Sequence, residues 1–545
     1  MSDAERRDSL VRDVARLARE APRELTASVA KLSLEEQVEL VLRLAGRERL
    51  ELLLHAPQPM RLVRSLPGIE VYLTAREVGP FDSIPMLALA SAEQLLHVLD
   101  LESWRGDRFD ADRAGAWVAL FLEAGEPTLL RFLRIAEDEL LAFLFHAWVR
   151  VREIEDPEEP ADGIVSPDGA HYFDPTIPEH APAIQRIAEI LLHDDQNRYA
   201  RILRLAEWEL PSELEETSLR WRNSRLEERG FPDLDSALAV YGAPAGLRND
   251  PAAVEEDVSE VPRTALRARE SAPQVVAYLE SLPAPLFDRV LFETTSVANR
   301  ILVADHGDTG DPAAHRAAME RAIAFIGIAL AARGVTTDAE AGPVFAAVPA
   351  LELFREGFTR AAELQNEARG FVREGWPKVH ARAMETLDAP LRPTVAALLQ
   401  RRPLVFDPSS AHGVREFRSP SDLEAARIAL EQARLVGQLV TGALGWDLPR
   451  MLESLAPGSA PPTLGAMWIT SLARHDATGE LGAGPISSSI AEAFREKVCD
   501  ERQAESATDA FLARLPGSAA LRAYTLERLA GPALASDPAP IVGSS

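Results

Sequence analysis

The chain is poor in cysteine, lysine and aromatic residues. Cys499 is the only cysteine among 545 residues, which excludes intramolecular disulfides and multi-cysteine zinc or iron–sulfur sites. Only three of the 58 basic residues are lysines, namely Lys31, Lys378 and Lys497. Aromatic residues make up 6% of a chain that is 46% hydrophobic, a balance that favours leucine- and alanine-rich helices over β-sandwiches and barrels. The composition therefore predicts a mainly α fold.

Long apolar runs and familiar catalytic motifs are also missing. The best apolar stretch, Leu140 to Val149, is too short to cross a bilayer, and the N-terminal region lacks the apolar core of a secretion signal. We therefore expect a cytoplasmic protein without membrane insertion. The sequence contains no G-x-x-x-x-G-K-[ST], H-E-x-x-H or G-x-S-x-G motif, which disfavours Walker-type NTPases, gluzincins and nucleophile-elbow hydrolases.

Negative charge dominates the chain. The net charge is -27 at pH 7, and the isoelectric point is near 4.9. Because such a surface repels phosphate backbones and anionic membranes, we expect no nucleic-acid partner. Basic proteins and divalent cations carry the opposite charge and are therefore better suited as partners.

Short, capped, leucine-rich segments recur along the N-terminal part. Ser33 and Glu36 have the spacing of a capping box, which predicts a helix start, and Gly46 is expected to end that helix. Ser91 with Gln94 predicts another start, and Asp110 a further one. Because a short amphipathic helix cannot bury its apolar stripe alone, the pattern predicts stacked helical pairs in a solenoid-like repeat.

Two stretches resemble known families. Residues from Leu34 to Leu66, whose leucine-rich hairpins are broken by proline, resemble the N-terminal cytoplasmic superhelical domain of MgtE-type magnesium channels. No membrane-spanning stretch or nucleotide-binding module follows, so the resemblance implies a helical stack and no channel function. The stretch from Trp208 to Tyr241, WELPSELEETSLRWRNSRLEERGFPDLDSALAVY, resembles a bacterial family of large helical proteins of unknown function. That resemblance implies similarity over nearly the whole chain.

Charge and proline indicate where the chain divides. Acidic, proline-containing stretches at 153–163 and 242–263 have the composition of solvated connectors. A third break occurs between Pro403 and Pro420. The sequence thus predicts a helical repeat over 1–152, a central segment over 153–245, helical regions over 246–402 and 403–530, and a disordered tail over 531–545.

One turn signal stands out in the central segment. Pro167-Asp168-Gly169 combines a residue that fixes φ with one that accepts positive φ, and so predicts a small β-hairpin near 164–173. A functional site on this turn is conceivable, but a small ribbon that covers a helical core is the favoured interpretation.

Basic residues share one face of the helix expected to begin with a capping box at Ser212 and Glu215. The candidate interaction residues are Arg222, Asn223, Arg225 and Arg229, which could hold an anionic ligand or the carboxylates of a partner. An internal ion-pair network with Glu213, Glu215, Glu227 and Glu228 is the favoured alternative.

Two His-containing acidic clusters are candidate metal ligands. His193 and Asp194 form a His-Asp dipeptide like that of the all-helical HD-type phosphohydrolases, and His475-Asp476 is a second such dipeptide. Asp305 and His306 lie in the loop ADHGDTGD and form the second candidate pair. The loop does not match the EF-hand pattern. Asp311 followed by Pro312 indicates instead the N-cap and first residue of a helix.

The sequence favours a scaffold or regulator that acts through an unknown protein partner, without catalytic activity and without a cofactor. The alternative is a metal-dependent phosphohydrolase or a divalent-cation sensor that uses the His-Asp clusters.

Overall fold

The computed structural model describes residues 14, 16–154, 164–176, 178–244, 271–456 and 458–530. These residues are mainly helical, which confirms the predicted fold class. They fall into two compact units, Met1–Arg355 and Glu356–Ser545. Most of the predicted connectors at 153–163 and 242–263, and the whole tail at 531–545, lie outside the described residues. The five-part division stays a prediction.

The first unit begins with a series of short helices. In chain order these are α1 Pro22–Val29, α2 Leu34–Arg43, α3 Gly46–His55, α4 Pro59–Arg64, α5 Gly68–Val78, α6 Ile84–Leu87, α7 Ala92–Glu102, α8 Ala111–Glu123, α9 Glu126–Ile135 and α10 Asp138–Trp148. Helix α3 packs on α5, α5 packs on α7, and α7 packs on α9. Because each helix carries an apolar stripe, this stacking removes the stripes from water.

Side chains cap these helices where the sequence predicts a start. Ser33 N donates to Glu36 Oε2 at 2.8 Å, and Glu36 N donates back to Ser33 Oγ at 3.2 Å, which completes the capping box of α2. Ser91 and Gln94 form the same box at α7, and Asp110 caps α8. The three predicted helix starts are confirmed.

The predicted end of α2 is wrong. Gly46 begins α3 instead, because α2 has already ended at Arg43 and Leu44 has an extended backbone. Gly46 has a φ of +51°, and its N donates to Glu77 Oε2 at 2.7 Å. The glycine therefore makes the sharp turn into the next helix, a role that its position after an apolar stripe does not reveal.

Short strands interrupt the helices. The first unit contains β1 Trp104–Arg105, β2 Arg108–Phe109, β3 Val149–Glu153, β4 Ile164–Val165 and β5 His171–Pro175. Strands β4 and β5 form the predicted hairpin, and β5 also pairs with β3 to make a three-stranded sheet. In its turn, Asp168 Oδ1 accepts from Ser166 Oγ at 2.5 Å and from Ala170 N at 3.2 Å. The ribbon of β1 and β2 was not predicted, because two residues per strand are too few to show an alternating pattern.

Longer helices complete the first unit. They are α11 Ala181–Asp194, α12 Gln196–Trp208, α13 Pro211–Glu228, α14 Leu234–Leu238, α15 Pro273–Glu280, α16 Ala284–Ala304, α17 Pro312–Ala332 and α18 Asp338–Ala347. Helix α13 packs on α10 and α7, while α16 and α17 pack on each other and α17 also contacts α5. The predicted cap of Asp311 before Pro312 is confirmed at α17.

Helix α13 starts differently from the prediction. Its N-cap is Leu210, without a side-chain cap, and Glu215 instead accepts a hydrogen bond from Phe109 N at 3.4 Å. At the other end Gly230 has a φ of +82°, and Phe231 N donates to Leu226 O at 2.8 Å. This closure satisfies carbonyl groups that the last helical turn leaves open.

The second unit is a further set of helices with one small ribbon. Helix α19 spans Ala350–Glu374, and the boundary between the units falls within it. After it come α20 Leu391–Leu398, β6 Val405–Phe406, β7 Val414–Arg415, α21 Pro420–Thr441, α22 Leu448–Glu453, α23 Leu464–Thr478, α24 Ser488–Val498, α25 Glu501–Leu512 and α26 Arg522–Leu529. Buried indoles are anchored by hydrogen bonds, as where Trp468 Nε1 donates to Thr525 Oγ1 at 3.0 Å. In either unit, none of the described helices combines the length and apolarity that a membrane span requires.

Candidate functional site

The candidate interaction residues lie on α13 or, in the case of Arg229, directly after it, and two of the arginines, Arg222 and Arg225, contact Asp100 on α7. Arg222 Nε donates to the carbonyl oxygen of Asp100 at 2.8 Å. Arg225 donates to both carboxylate oxygens of Asp100, at 2.8 and 2.6 Å, and also pairs with Glu137 at the start of α10. Bidentate pairing of this kind fixes geometry as well as charge. The two guanidinium groups therefore hold α13 against the N-terminal helices.

Burial and neighbouring charges set the state of these arginines. Burial lowers the pKa of Arg222 to about 10. The positive charge of Arg225 lowers this pKa further, and the negative charge of Asp100 raises it only in part. Burial also acts against the charge of Arg225, but its hydrogen bonds to Asp100 and the charges of Asp100 and Glu137 outweigh burial and raise its pKa. Both groups are cations at neutral pH.

The other two candidate residues have different surroundings. Asn223 is exposed, and its Oδ1 accepts from Arg222 Nη1 at 3.0 Å. Arg229 Nη1 donates to His97 Nδ1 at 3.3 Å. Arg225 takes part in ion pairs, but its partners are Asp100 and Glu137 on other helices and not the glutamates of α13 that the sequence offered. A partner-binding role for the four residues stays a prediction.

A pair of histidines lies next to the arginines. His97 is 1% exposed and accepts a hydrogen bond at Nδ1 from Arg229. A guanidinium can only donate, so His97 is neutral and carries its proton on Nε2. Burial lowers its pKa well below the ordinary value, and the positive charges of Arg229, Arg225 and Arg222 lower it further. His315 on α17 donates from Nε2 to the carbonyl oxygen of Thr309 at 2.8 Å, and burial lowers its pKa as well.

The loop 305–311 covers a buried carboxylate beside this pair. Glu102 is 1% exposed, accepts from Tyr72 Oη at 2.9 Å and pairs with Arg113 at 2.8 Å. Gly310 lies so close that a Cβ there would approach Arg113 Nη2 to 2.7 Å. Burial and the adjacent carboxylate raise the pKa of Tyr72, which keeps the phenol protonated as a donor. Glycine at this position lets the loop close over the ion pair.

Acidification is expected to destabilise the protein through His97. Its folded-state pKa is depressed, so below pH 6.5 the unfolded chain takes up a proton that the folded chain excludes, and stability falls as pH falls. The expected slope is about 1.4 kcal/mol per pH unit from this residue. The check is the urea midpoint at pH 7.5, 6.5 and 5.5 for the wild type and His97→Asn, whose amide oxygen can replace the Nδ1 acceptor. The slope should be smaller in the variant and unchanged in His193→Asn, an exposed control; equal slopes in all three proteins would contradict this reading.

The first pair of candidate metal ligands lies at the surface. His193 and Asp194 end α11 and are exposed. Asp194 forms a bidentate pair with Arg134, at 2.6 and 3.2 Å. The guanidinium hydrogen bonds and charge lower the pKa of Asp194. The carboxylate therefore already has a cationic partner.

The second pair lies in the loop after α16. Asp305 accepts from Tyr241 Oη at 2.8 Å and pairs with Arg321 on α17. His306 is exposed and has a left-handed backbone with a φ of +55°. Among the described residues, no three His, Cys, Asp or Glu side chains come together in a way that could hold a metal ion. The metal site stays a prediction without a supporting contact.

Three large hydrophobic side chains face solvent, two at the junction of α12 and α13 and one farther along α13. Trp208 is 75% exposed, Leu210 is 59% exposed and Trp221 is 49% exposed. Leu210 and Trp221 are eleven residues apart, which places them about 20° apart around the helix axis and about 16 Å apart along it. We call these three residues the tryptophan surface.

Carboxylates surround the tryptophan surface. Glu209 lies between Trp208 and Leu210, and Glu213 follows one turn later. The neighbouring Glu209 carboxyl raises the pKa of the Glu213 carboxyl. The surface thus combines apolar anchors with concentrated negative charge.

Sequence reasoning missed the tryptophan surface. The buried residues of α13 recur every four positions, at Leu214, Ser218, Arg222 and Leu226. Trp221 lies at the edge of that stripe, so helical spacing alone assigns it to the core. A usable signal was the density of charge around the tryptophans in WELPSELEETSLRW, because so acidic a segment is poorly suited to burial on all sides.

Comparisons with known proteins place the chain in a family. No curated protein and no solved structure matches it. One family model matches residues 26–536, which is nearly the whole chain and includes both units and the tryptophan surface. The chain therefore belongs to the family of unknown function DUF6178.

Proposed function

We propose that the protein is a scaffold or regulator that binds a partner protein at the tryptophan surface. The observation that carries the proposal is the exposure of Trp208, Leu210 and Trp221 in a chain with only eight tryptophans. Tryptophan is enriched among the residues that dominate binding energy at protein interfaces, and large apolar side chains left in water gain free energy when a partner covers them.

The charge around the surface selects the kind of partner. Glu209 and Glu213 repel each other when both are ionised, and a lysine or arginine nearby would relieve that repulsion. The partner is therefore a protein segment with apolar anchors flanked by basic residues. A second copy of this chain is a poor occupant, because its net charge is -27.

Replacing both tryptophans is expected to abolish partner binding without unfolding the protein. Alanine at Trp208 and Trp221 should weaken binding by about 2 kcal/mol or more, the cost typical of an interface hot spot. Unfolding free energies should change by less than about 0.5 kcal/mol, because the side chains are exposed. The measurement is affinity capture from extract of the producing cell, followed by titration of each captured protein.

Phe81→Ala provides the matched control, since Phe81 is also 75% exposed but lies in the loop between α5 and α6. We expect a basic partner that the wild type and Phe81→Ala retain and that the Trp208→Ala/Trp221→Ala protein loses. Identical sets of captured proteins for all three would overturn the proposal.

We also propose that the protein is cytoplasmic and bacterial. We propose further that the segment from Leu34 to Leu66 is related to the superhelical domain of MgtE-type channels. The metal-dependent alternative at His193, Asp194, Asp305 and His306 predicts instead that a divalent cation raises the melting temperature.

A further inference from the structure

Two arginines of the first unit are held close together by the backbone that follows α6. Arg131 on α9 donates from Nη2 to the carbonyl oxygen of Ala88 at 2.7 Å. Arg64, the last residue of α4, donates from Nε to the carbonyl oxygen of Leu89 at 3.2 Å. Because Ala88 and Leu89 are consecutive residues, the two guanidinium groups lie near one another. We call Arg64 and Arg131 the arginine pair.

The arginine pair has no carboxylate partner. In the part of the chain that the structure describes, neither arginine forms an ion pair, whereas Arg134, one turn farther along α9, is paired with Asp194. Burial lowers the pKa of Arg131, and the positive charge of Arg64 lowers it further. Two like charges without a counter-ion are unfavourable, although the chain as a whole has a net charge of -27. The pair is therefore arranged for an anion that the described residues do not supply.

Both guanidinium groups keep N–H groups available for such an anion. Arg64 is exposed and uses only Nε, so the N–H groups on both of its Nη atoms remain. Arg131 is half-buried and uses only Nη2, which also donates to Thr128 Oγ1 at 3.2 Å. Its Nε is buried and, among the described residues, has no hydrogen-bond partner. Because a buried donor without a partner is unfavourable, an acceptor that reaches Nε would stabilise the site.

The number and charge of the donors favour a phosphate group over a carboxylate. A guanidinium binds either group through two parallel hydrogen bonds, so one carboxylate can occupy one arginine. A phosphate monoester has three terminal oxygens and a charge of about -1.5 to -2 at pH 7, so it can accept from both arginines and neutralise both. A long polyanion such as a nucleic acid would be repelled by the rest of this acidic chain. The site therefore suits a small dianion.

We propose that the arginine pair binds a phosphate group, either inorganic phosphate or the phosphate of a small phosphorylated molecule. The oxygens of the phosphate accept from the Nη groups of Arg64 and from Nε and Nη1 of Arg131. The hydrogen bonds from Arg131 to Ala88 and Thr128 already order its side chain, which lowers the entropy lost on binding. This site shares no residue with the tryptophan surface and does not depend on the proposed function.

Isothermal titration of the full chain with inorganic phosphate, glycerol 3-phosphate and acetate tests the proposal. All titrations use one fixed, low ionic strength, because salt screens exposed charges. We expect phosphate to bind and acetate to bind about tenfold more weakly, since one hydrogen bond to a charged group contributes about that factor. Binding of glycerol 3-phosphate identifies a phosphorylated small molecule as the ligand, and binding of inorganic phosphate alone identifies the free ion. Absence of binding by both phosphates, or acetate binding as tight as phosphate binding, would overturn the proposal.

Arg64→Met removes one guanidinium and should weaken phosphate binding by about tenfold or more. The fold should be retained, because Arg64 is exposed. Arg204→Met is the matched control, since Arg204 on α12 is also exposed and also donates to a backbone carbonyl, that of Ala200 at 3.2 Å. The control should bind phosphate like the wild type. Unchanged binding in Arg64→Met, or an equal loss in Arg204→Met, would contradict the proposal.

Arg131→Lys tests whether the shape of the guanidinium matters as well as its charge. Lysine keeps the positive charge but removes the Nε and Nη1 donors that we assign to the ligand, so phosphate binding should weaken by about tenfold. Thermal melts give a second readout. Phosphate should raise the melting temperature of the wild type and Arg204→Met, but not that of Arg64→Met or Arg131→Lys. A ligand-free melt reveals any folding defect, and wild-type binding by a folded Arg131→Lys protein would overturn the assignment of Arg131.

Discussion

Replacing Arg49 by methionine is expected to lower the unfolding free energy by about 3–5 kcal/mol, the cost of breaking a buried ion pair by removing one partner. Arg49 and Glu70 are both fully buried, and Arg49 Nη1 lies 2.6 Å from Glu70 Oε2. The substitution leaves the carboxylate of Glu70 in the core without its guanidinium. The loss is large because the low dielectric that strengthens the pair also penalises the remaining charge.

The guanidinium of Arg49 also satisfies the end of α2. Its Nε donates to the carbonyl oxygens of Val41 and Leu44 at 3.1 and 2.9 Å, and its Nη2 donates to that of Leu42 at 3.3 Å. The last carbonyls of a helix have no intrahelical donor. Methionine removes every one of these hydrogen bonds, so the cost should fall at the upper end of the range.

Urea unfolding followed by circular dichroism measures the effect. Arg43→Met is the control, because Arg43 pairs with Glu39 on the exposed side of α2 and should cost less than about 1 kcal/mol. Adding Glu70→Leu to Arg49→Met should recover part of the lost stability, since it removes the unpaired charge. A loss below about 1 kcal/mol in Arg49→Met would show that the pair is not a stabilising element.

Replacing Arg225 by methionine is the second change with a large expected effect, again about 3–5 kcal/mol. Asp100 is 2% exposed and would lose both of its short hydrogen bonds to Arg225. Glu137 would lose its ion pair at the same time. The contact between α13 and the N-terminal helices should weaken most.

This measurement also separates two roles for Arg225. If the arginine is a structural tie, stability falls in the isolated protein, and adding Asp100→Asn restores part of it by removing a buried charge. If it serves a partner alone, stability is unchanged and binding is lost. Arg220→Met on the same helix is the control, because the Glu216–Arg220 pair is 3.8 Å apart with both side chains more than 70% exposed.

Local signals in the sequence predicted local structure well. The capping boxes at Ser33 and Ser91 and the turn at Pro167 to Gly169 are present because each depends on residues within a few positions of one another. The failures at Gly46 and Ser212 have a common cause. In both places a distant side chain or backbone group takes part, Glu77 at Gly46 and Phe109 at Glu215, and nothing in the local pattern reveals it.

The candidate sites were predicted less well than the fold. The basic face of α13 was visible in the sequence, but the contact of Arg225 with Asp100 joins residues 125 positions apart. The exposure of Trp208 and Trp221 was not predicted. Helical spacing shows which residues lie at the edge of an apolar stripe, but it does not show whether those side chains are buried.

The sequence by itself determined that this protein is mainly α, where several helices begin, and that its surface is strongly acidic. These properties follow from composition and from interactions within one or two helical turns. Only the tertiary structure decided which charges are buried and which tryptophans face water. Burial is a property of the packed chain, because it depends on which helices, remote in sequence, exclude water from a given side chain.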